Sequence, residues 1–156
     1  MRHFVLAMAF VLGIAGTAHA KPLYGSVGEV LETRAAASAT VRERAGKFLE
    51  TAEAARGRGN WSGAAKGYLE SALDWPGTDA LSGLAVALAR MNRSADGCEN
   101  GYRIKLSDLS TALSYMVLLT QLSHSNGEAF DGAELRGAVA EVQDETFSKI
   151  AACKAD

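Results

Sequence analysis

The stretch FLETAEAARGRGNWSGAAKGYLESALDWP, Phe48 to Pro76, decides how this chain folds. Phe48, Leu49, Ala52 and Ala55 recur at the spacing of one helical face. Upstream, Thr40 and Glu43 stand at capping-box separation, so the helix is predicted to open at Thr40 and to stop at Gly57 or Gly59. Asn60 then suits the cap of a second helix, because its side-chain oxygen can accept from a backbone N–H that the helix itself leaves without a partner. That second helix carries Ala64, Ala65, Tyr68, Ala72 and Leu73. It must end at Pro76-Gly77, since proline lacks the N–H and crowds the preceding turn. Small side chains let two such helices approach closely, and the aromatic residues fill the remaining gaps, so the stretch reads as a helical hairpin.

The same pattern extends in both directions. Ser26 to Ala37 reads as a short helix whose apolar face is only Val27, Val30 and Leu31. After Pro76-Gly77, Thr78 or Asp79 starts a helix marked by Leu81, Leu84, Ala85 and Leu88, until Asn92 and the Gly-, Asn- and Asp-rich segment Ser94 to Gly101, which holds Cys98, break it. Ser107 is predicted to cap the next helix, with Leu109, Leu113, Met116, Val117 and Thr120 along one face and Leu118 and Leu119 widening it. So broad an apolar girth predicts the most buried helix of the domain. Beyond the turn from His124 to Gly127, Asp131 and Glu134 form a second capping-box pair. The last helix then aligns Leu135, Val139, Val142, Thr146, Ile150 and Cys153 on one stripe. With helix-favouring Ala, Leu, Glu and Arg abundant and only Pro22 and Pro76 to interrupt, the fold class is all-α: a compact array of antiparallel helical hairpins with extra C-terminal helices.

Met1 to Ala20 has the layout of a secretory signal peptide, with basic Arg2 and His3, an apolar run from Phe4 to Ile14, and the small-residue ending Ala18-His19-Ala20. The apolar run is short of the roughly 20 residues that cross a bilayer. Cleavage before Lys21 leaves residues 21–156 as a single helical domain, expected in the bacterial periplasm or secreted, with no stable membrane insertion after cleavage. Loss of Arg2 leaves 15 basic against 18 acidic residues, a formal charge of −3 with the signs interspersed. Nucleic acid as a partner would need a basic patch instead. In an exported protein the pair Cys98 and Cys153 reads first as a disulfide, one that fastens the last helix to the body.

The ordered set Phe48, Ala52, Ala55, Gly59-Asn60-Trp61, Ala64, Tyr68, Ser71 and Pro76 resembles one tetratricopeptide repeat, a helix-turn-helix unit of about 34 residues. Thr51 stands where the family usually has a large aliphatic residue and Ala55 where it usually has tyrosine. Leu81, Leu84-Ala85 and Leu88 resemble the first helix of a second, degraded repeat. The resemblance implies a concave surface lined by first-helix side chains, and on this chain those are Leu49, Glu53 and Arg56, followed by Val86 and Arg90. It also implies another protein or a peptide as the partner.

Catalytic parts are sparse. His124 is the single imidazole after the leader and sits in a polar turn, while Glu70 and Asp74, four apart on one helix, read as a solvated edge. No phosphate-binding glycine loop, His-Glu-x-x-His or haem motif occurs, so no catalytic residue, metal or cofactor is assigned. The function expected is an exported interaction module or adaptor in the cell envelope. The alternative is a small inhibitor or immunity protein that blocks an envelope-directed enzyme with a protrusion around Asp96, Glu99 and Tyr102.

Overall fold

Serine and asparagine side chains start three of the helices, each by accepting from an N–H of the first turn. Ser26 accepts from Glu29, Ser38 from Val41, and Asn60 from Gly63. The computed structural model describes residues 21–93 and 97–153, and the side chains of these apart from Glu99, Phe147 and residues 150–153. Among the described residues every regular element is a helix. These are α1 (Val27–Ala36), α2 (Ala39–Gly57), α3 (Trp61–Asp74), α4 (Thr78–Arg90), α5 (Cys98–Asn126) and α6 (Ala133–Cys153). The all-α reading therefore holds, as does the Asn60 cap. The predicted signal peptide and the residues Ser94 to Asp96 lie outside the described residues.

Ser38, not Thr40, opens α2, because its hydroxyl is placed to take the Val41 N–H. Asp131 accepts from the N–H of Ala133, two residues on, at 2.7 Å. Its expected capping partner Glu134 turns away to Arg56 instead. The largest difference lies in α5, which begins at Cys98 rather than Ser107 and runs for 29 residues. Its inward face is also rotated. Leu109, Leu118 and Leu119 are buried as expected, but Leu113 and Val117 are 42 % and 57 % exposed. Lys105, Asp108, Thr111, Tyr115 and Leu122 point inward with the buried leucines. Polar side chains won the interior because each found a partner there. One example is Tyr115, whose hydroxyl accepts from the Leu23 N–H at 2.8 Å.

The most buried helix is consequently α4 and not α5. Eight of its 13 residues are inside, from Ala80 to Ala89, and its charges, Asp79 and Arg90, are confined to its ends. It packs on α3, α5 and α6, while α2 packs on α3. Two glycines set these distances by close approach. A methyl on Gly67 would lie 2.8 Å from Ala52 Cβ, and one on Gly83 would lie 2.7 Å from Tyr68 Cδ1 and closer still to Cε1 and Cζ. Tyr68 is wholly buried between α2 and α4 as a result. At the N-terminal end, Tyr24 donates its hydroxyl to the Ala72 carbonyl at 2.8 Å and Val30 is fully buried, which seats α1 on the bundle. Among the described residues no helix is long and apolar enough to cross a membrane.

Candidate functional site

The N-terminal half of α2 presents Arg42, Ala45, Gly46 and Leu49 on one face, and opposite them lie Ser71 and Trp75 at the end of α3 and Thr78 to Ala80 at the start of α4. These residues enclose a groove of about 560 Å³. Its floor is low because Ala45, Ser71 and Ala80 are small and buried. Leu49 and Trp75, both half-buried, supply apolar walls.

One rim of the groove is a charge clamp. The Arg34 guanidinium grips both oxygens of Glu128, donates from Nε to the Pro76 carbonyl at 2.8 Å, and lies over the Trp75 ring at 5.3 Å from its centroid. Thr78 and Asn126 also donate to Glu128. The Arg34 bonds above all, helped by Thr78 and Asn126 and opposed by burial, hold the Glu128 carboxyl down at about 2. Donors from α1, the start of α4 and the end of α5 thus meet at one carboxylate carried by the link between α5 and α6, and Arg34 ties in the α3–α4 turn through the Pro76 carbonyl. This keeps the rim ionised and fixed in place at neutral pH.

Of the five residues expected to line a partner surface, Leu49 alone lies in this groove. Val86 is 1 % exposed and belongs to the core. The expectation fails there because α4 is covered on three sides. Glu53 accepts from the Tyr68 hydroxyl at 2.6 Å. Burial first, and then this carboxylate, push the Tyr68 phenol up to about 12. Arg56 reaches Glu134 at 2.6 Å and Glu53 at 3.6 Å. Arg90 pairs with Glu141 at 3.1 Å and lies over the Trp61 ring at 5.5 Å. Arg56 and Arg90, one on each of α2 and α4, therefore hold two acids seven residues apart on α6. The C-terminal ends of α2 and α4 face the chain's own last helix, and their N-terminal ends face the groove.

A second concavity, of about 460 Å³, lies between the end of α4, the start of α5 and the middle of α6, with Arg93, Cys98, Tyr102, Lys105, Glu145 and Lys149 on its walls. Lys105 is the residue that sequence reading missed. It is 6 % exposed, and its ammonium donates to the carbonyls of Ala89 and Met91. It thereby closes the C-terminus of α4, which Met91 leaves without a glycine cap. Burial brings its pKa down to about 8, with Asp108 and Glu145 opposing and Arg93 assisting. Asp108, also buried, takes the Arg93 guanidinium at 2.7 Å. The cleft walls are thus ion pairs and a helix cap that join α4, α5 and α6. The available signal was that Lys105 and Asp108 are the only charged residues between Ile104 and Gly127.

Tyr102 is half-buried in this cleft and does not protrude. Asp96 and the Glu99 side chain lie outside the described residues, as does the Cys153 side chain on which the disulfide reading depends. His124 is exposed in the last turn of α5. Among the described residues no three His, Cys, Asp or Glu side chains gather as a metal would require. Comparison of the chain with family models, with curated proteins and with solved structures returns no match.

Proposed function

We propose that this protein is an exported helical interaction module, an adaptor of the cell envelope, that takes a short segment of another protein into the groove between α2 and α4. The observation that carries the reading is the groove itself. It is open, floored by Ala45 and Ala80, and walled by Leu49 and Trp75, at the face of the two helices that the repeat resemblance designates as first helices. An open groove with apolar walls and a polar rim suits a bound peptide. In this reading α2 and α3 form an antiparallel hairpin of tetratricopeptide type. Support comes from contacts that run in opposite order along the two helices: Arg44 near the start of α2 meets Asp74 at the end of α3 at 2.5 Å, and Ala52 further along α2 lies beside Gly67 further back on α3. The hairpin would turn at Gly59-Asn60-Trp61, between α2 and α3. A Cys98–Cys153 bridge belongs to the same proposal, supported by Cys98, Thr146 and Lys149 sharing one cleft, since Cys153 follows Lys149 by one helical turn.

The test places a photo-reactive amino acid at Leu49 and, as control, at exposed Leu73 on α3. In envelope extracts a specific adduct is expected from position 49 and not from 73. Gly46→Trp, which fills the groove from a position where an added methyl would meet no atom within 4 Å, should abolish that adduct without unfolding the protein. A Leu49 adduct that survives Gly46→Trp would reject the groove as the binding surface.

A further inference from the structure

Every other long helix of the chain places charges on its outer face. The exposed side of α2 carries Arg42, Glu43, Arg44, Lys47 and Glu50, and that of α6 carries Glu141, Asp144, Glu145 and Lys149. On α5 the rule is inverted. Exposed Arg103 lies one turn before Leu106, but from Ile104 to Asn126 the two charged residues, Lys105 and Asp108, are both buried, so the outward face of that stretch has none. What it shows to solvent instead is Leu106, Ser110, Leu113, Val117, Thr120 and His124. Leu106, Leu113 and Val117 are 40 %, 42 % and 57 % exposed, and the other three are exposed as well. The steps between these positions alternate four and three, the spacing of a helix–helix seam. The seam lies opposite the core-facing residues Lys105, Ala112, Tyr115, Leu119 and Leu122.

We propose that this face docks a second copy of the chain, α5 against α5 in antiparallel order, about a two-fold axis level with Tyr115. The register follows from the seam's own residues. With that axis, Leu113 meets Val117 of the second copy, Ser110 meets Thr120, and Leu106 meets His124. At the centre Leu113 and Val117 set apolar on apolar, Ser110 and Thr120 set hydroxyl on hydroxyl, and Leu106 packs on the imidazole ring of His124 at either end; the relation is the same in both directions, as an isologous interface requires. The absence of charge removes the like-charge repulsion that ordinarily keeps identical faces apart, and antiparallel order sets the helix dipoles favourably. A membrane surface fits less well, because on this helix Arg103, at one end of the stripe, is the single basic residue on the outward side. The paired length from Leu106 to His124 is about 27 Å at 1.5 Å per residue. A seam so short predicts micromolar association.

Sedimentation equilibrium of the purified chain across the micromolar range should show a mass rising toward twice that of the monomer. Val117→Glu, at an exposed position that leaves the melting curve in place, is expected to weaken the dimer at least about 30-fold. Thr120→Leu should tighten it, and Leu73→Glu on α3 should leave it unchanged. A photo-reactive residue at position 113 should cross-link to the peptide of the second copy that holds Val117. A chain monomeric at every concentration, a dimer indifferent to Val117→Glu, cross-links to another surface, or a monomer that floats with uncharged lipid vesicles would each overturn the proposal.

Discussion

Gly83→Ala puts the packing account at risk. In the middle of an ordinary helix this change stabilises by about 1 kcal/mol, because alanine loses less backbone freedom than glycine. Here the new methyl would enter the Tyr68 ring, lying 2.7 Å from Cδ1 and nearer to Cε1 and Cζ. The ring cannot simply swing aside, since Tyr68 is 0 % exposed and its hydroxyl is committed to Glu53 at 2.6 Å. Overpacking of this kind costs about 1–3 kcal/mol, and losing a hydrogen bond to a charged group adds about 1.5–3 kcal/mol. Set against the propensity gain, the net expected loss is about 2–4 kcal/mol, a large fraction of the stability of a domain this size. Urea unfolding followed by far-ultraviolet circular dichroism should show the midpoint falling with an unchanged slope. In a Tyr68→Leu background the same substitution should cost much less, because the ring it strikes is gone. Gly137→Ala on α6, where no atom lies within 4 Å, should stabilise by about 0.5–1 kcal/mol. A Gly83→Ala protein as stable as the parent would refute the placement of the Tyr68 ring against α4.

Glu128 has a folded-state pKa near 2 against an ordinary 4.5, so its contribution is complete above about pH 4.5 and disappears as the pH falls toward 2. Glu128→Gln should cost about 2 kcal/mol at pH 7, after allowance for solvent screening, and flatten the acid limb of the stability profile. Lys105 has a dependence of the same sign in an alkaline window, although here the cause is burial of the charged form rather than its pairing. Its folded pKa of about 8 lies below the ordinary 10.5, so the unfolded chain holds the extra proton and stability should rise by about 2 kcal/mol between pH 8 and 10. Lys105→Met should abolish that rise in urea titrations across the same range, while costing about 1–3 kcal/mol at neutral pH for the uncapped carbonyls. Thiol labelling of the denatured, unreduced protein should find no reactive cysteine, and two labelled thiols would exclude the Cys98–Cys153 bridge. Trp61→Ala should lower stability by about 1–3 kcal/mol, less than a fully buried aromatic would, because Trp61 is half-buried with Arg90 on its face.

Much of the architecture could be read from local chemistry. The Asn60 cap, the stops at Gly59 and Pro76 and the buried stripe Leu135, Val139 and Thr146 all depend on residues within one helix or turn of each other. The groove was legible only at Leu49. Its other wall comes from Trp75 and the start of α4, and its rim from Glu128, nearly a hundred residues from its partner Arg34. Nothing in the spacing of Glu53, Arg56 and Arg90 foretells that α6 meets them. An acid of α6 lies 78 positions beyond Arg56, and which acid a surface arginine chooses is decided by packing between distant elements. Val86 escapes sequence reading for a related reason. A valine beside alanines on a helix reads as half-exposed until one knows that α3, α5 and α6 all cover that helix.

In α5 local chemistry was ambiguous rather than silent, and the ambiguity is informative. Leu109, Leu118, Leu119 and Leu122 recur at helical spacing, and so do Leu106, Leu113 and Val117. A helix with two apolar stripes has no inward face that periodicity can select. The choice was made by Lys105 and Asp108, which must be paired wherever they are buried and which find the carbonyls at the end of α4 and the guanidinium of Arg93 on one side only. Turning that side inward forces Leu113 and Val117 outward, where burial within a single copy of the chain cannot reach them. A lone exposed valine is unremarkable, but three large aliphatic residues in seam register, on a face that carries no charge from Ile104 to Asn126, call for a surface to cover them. If Val117→Glu changes neither the mass in solution nor its dependence on concentration, then the inward demand of Lys105 and Asp108 is the whole reason for the stripe, and the outer face is merely what that demand left behind.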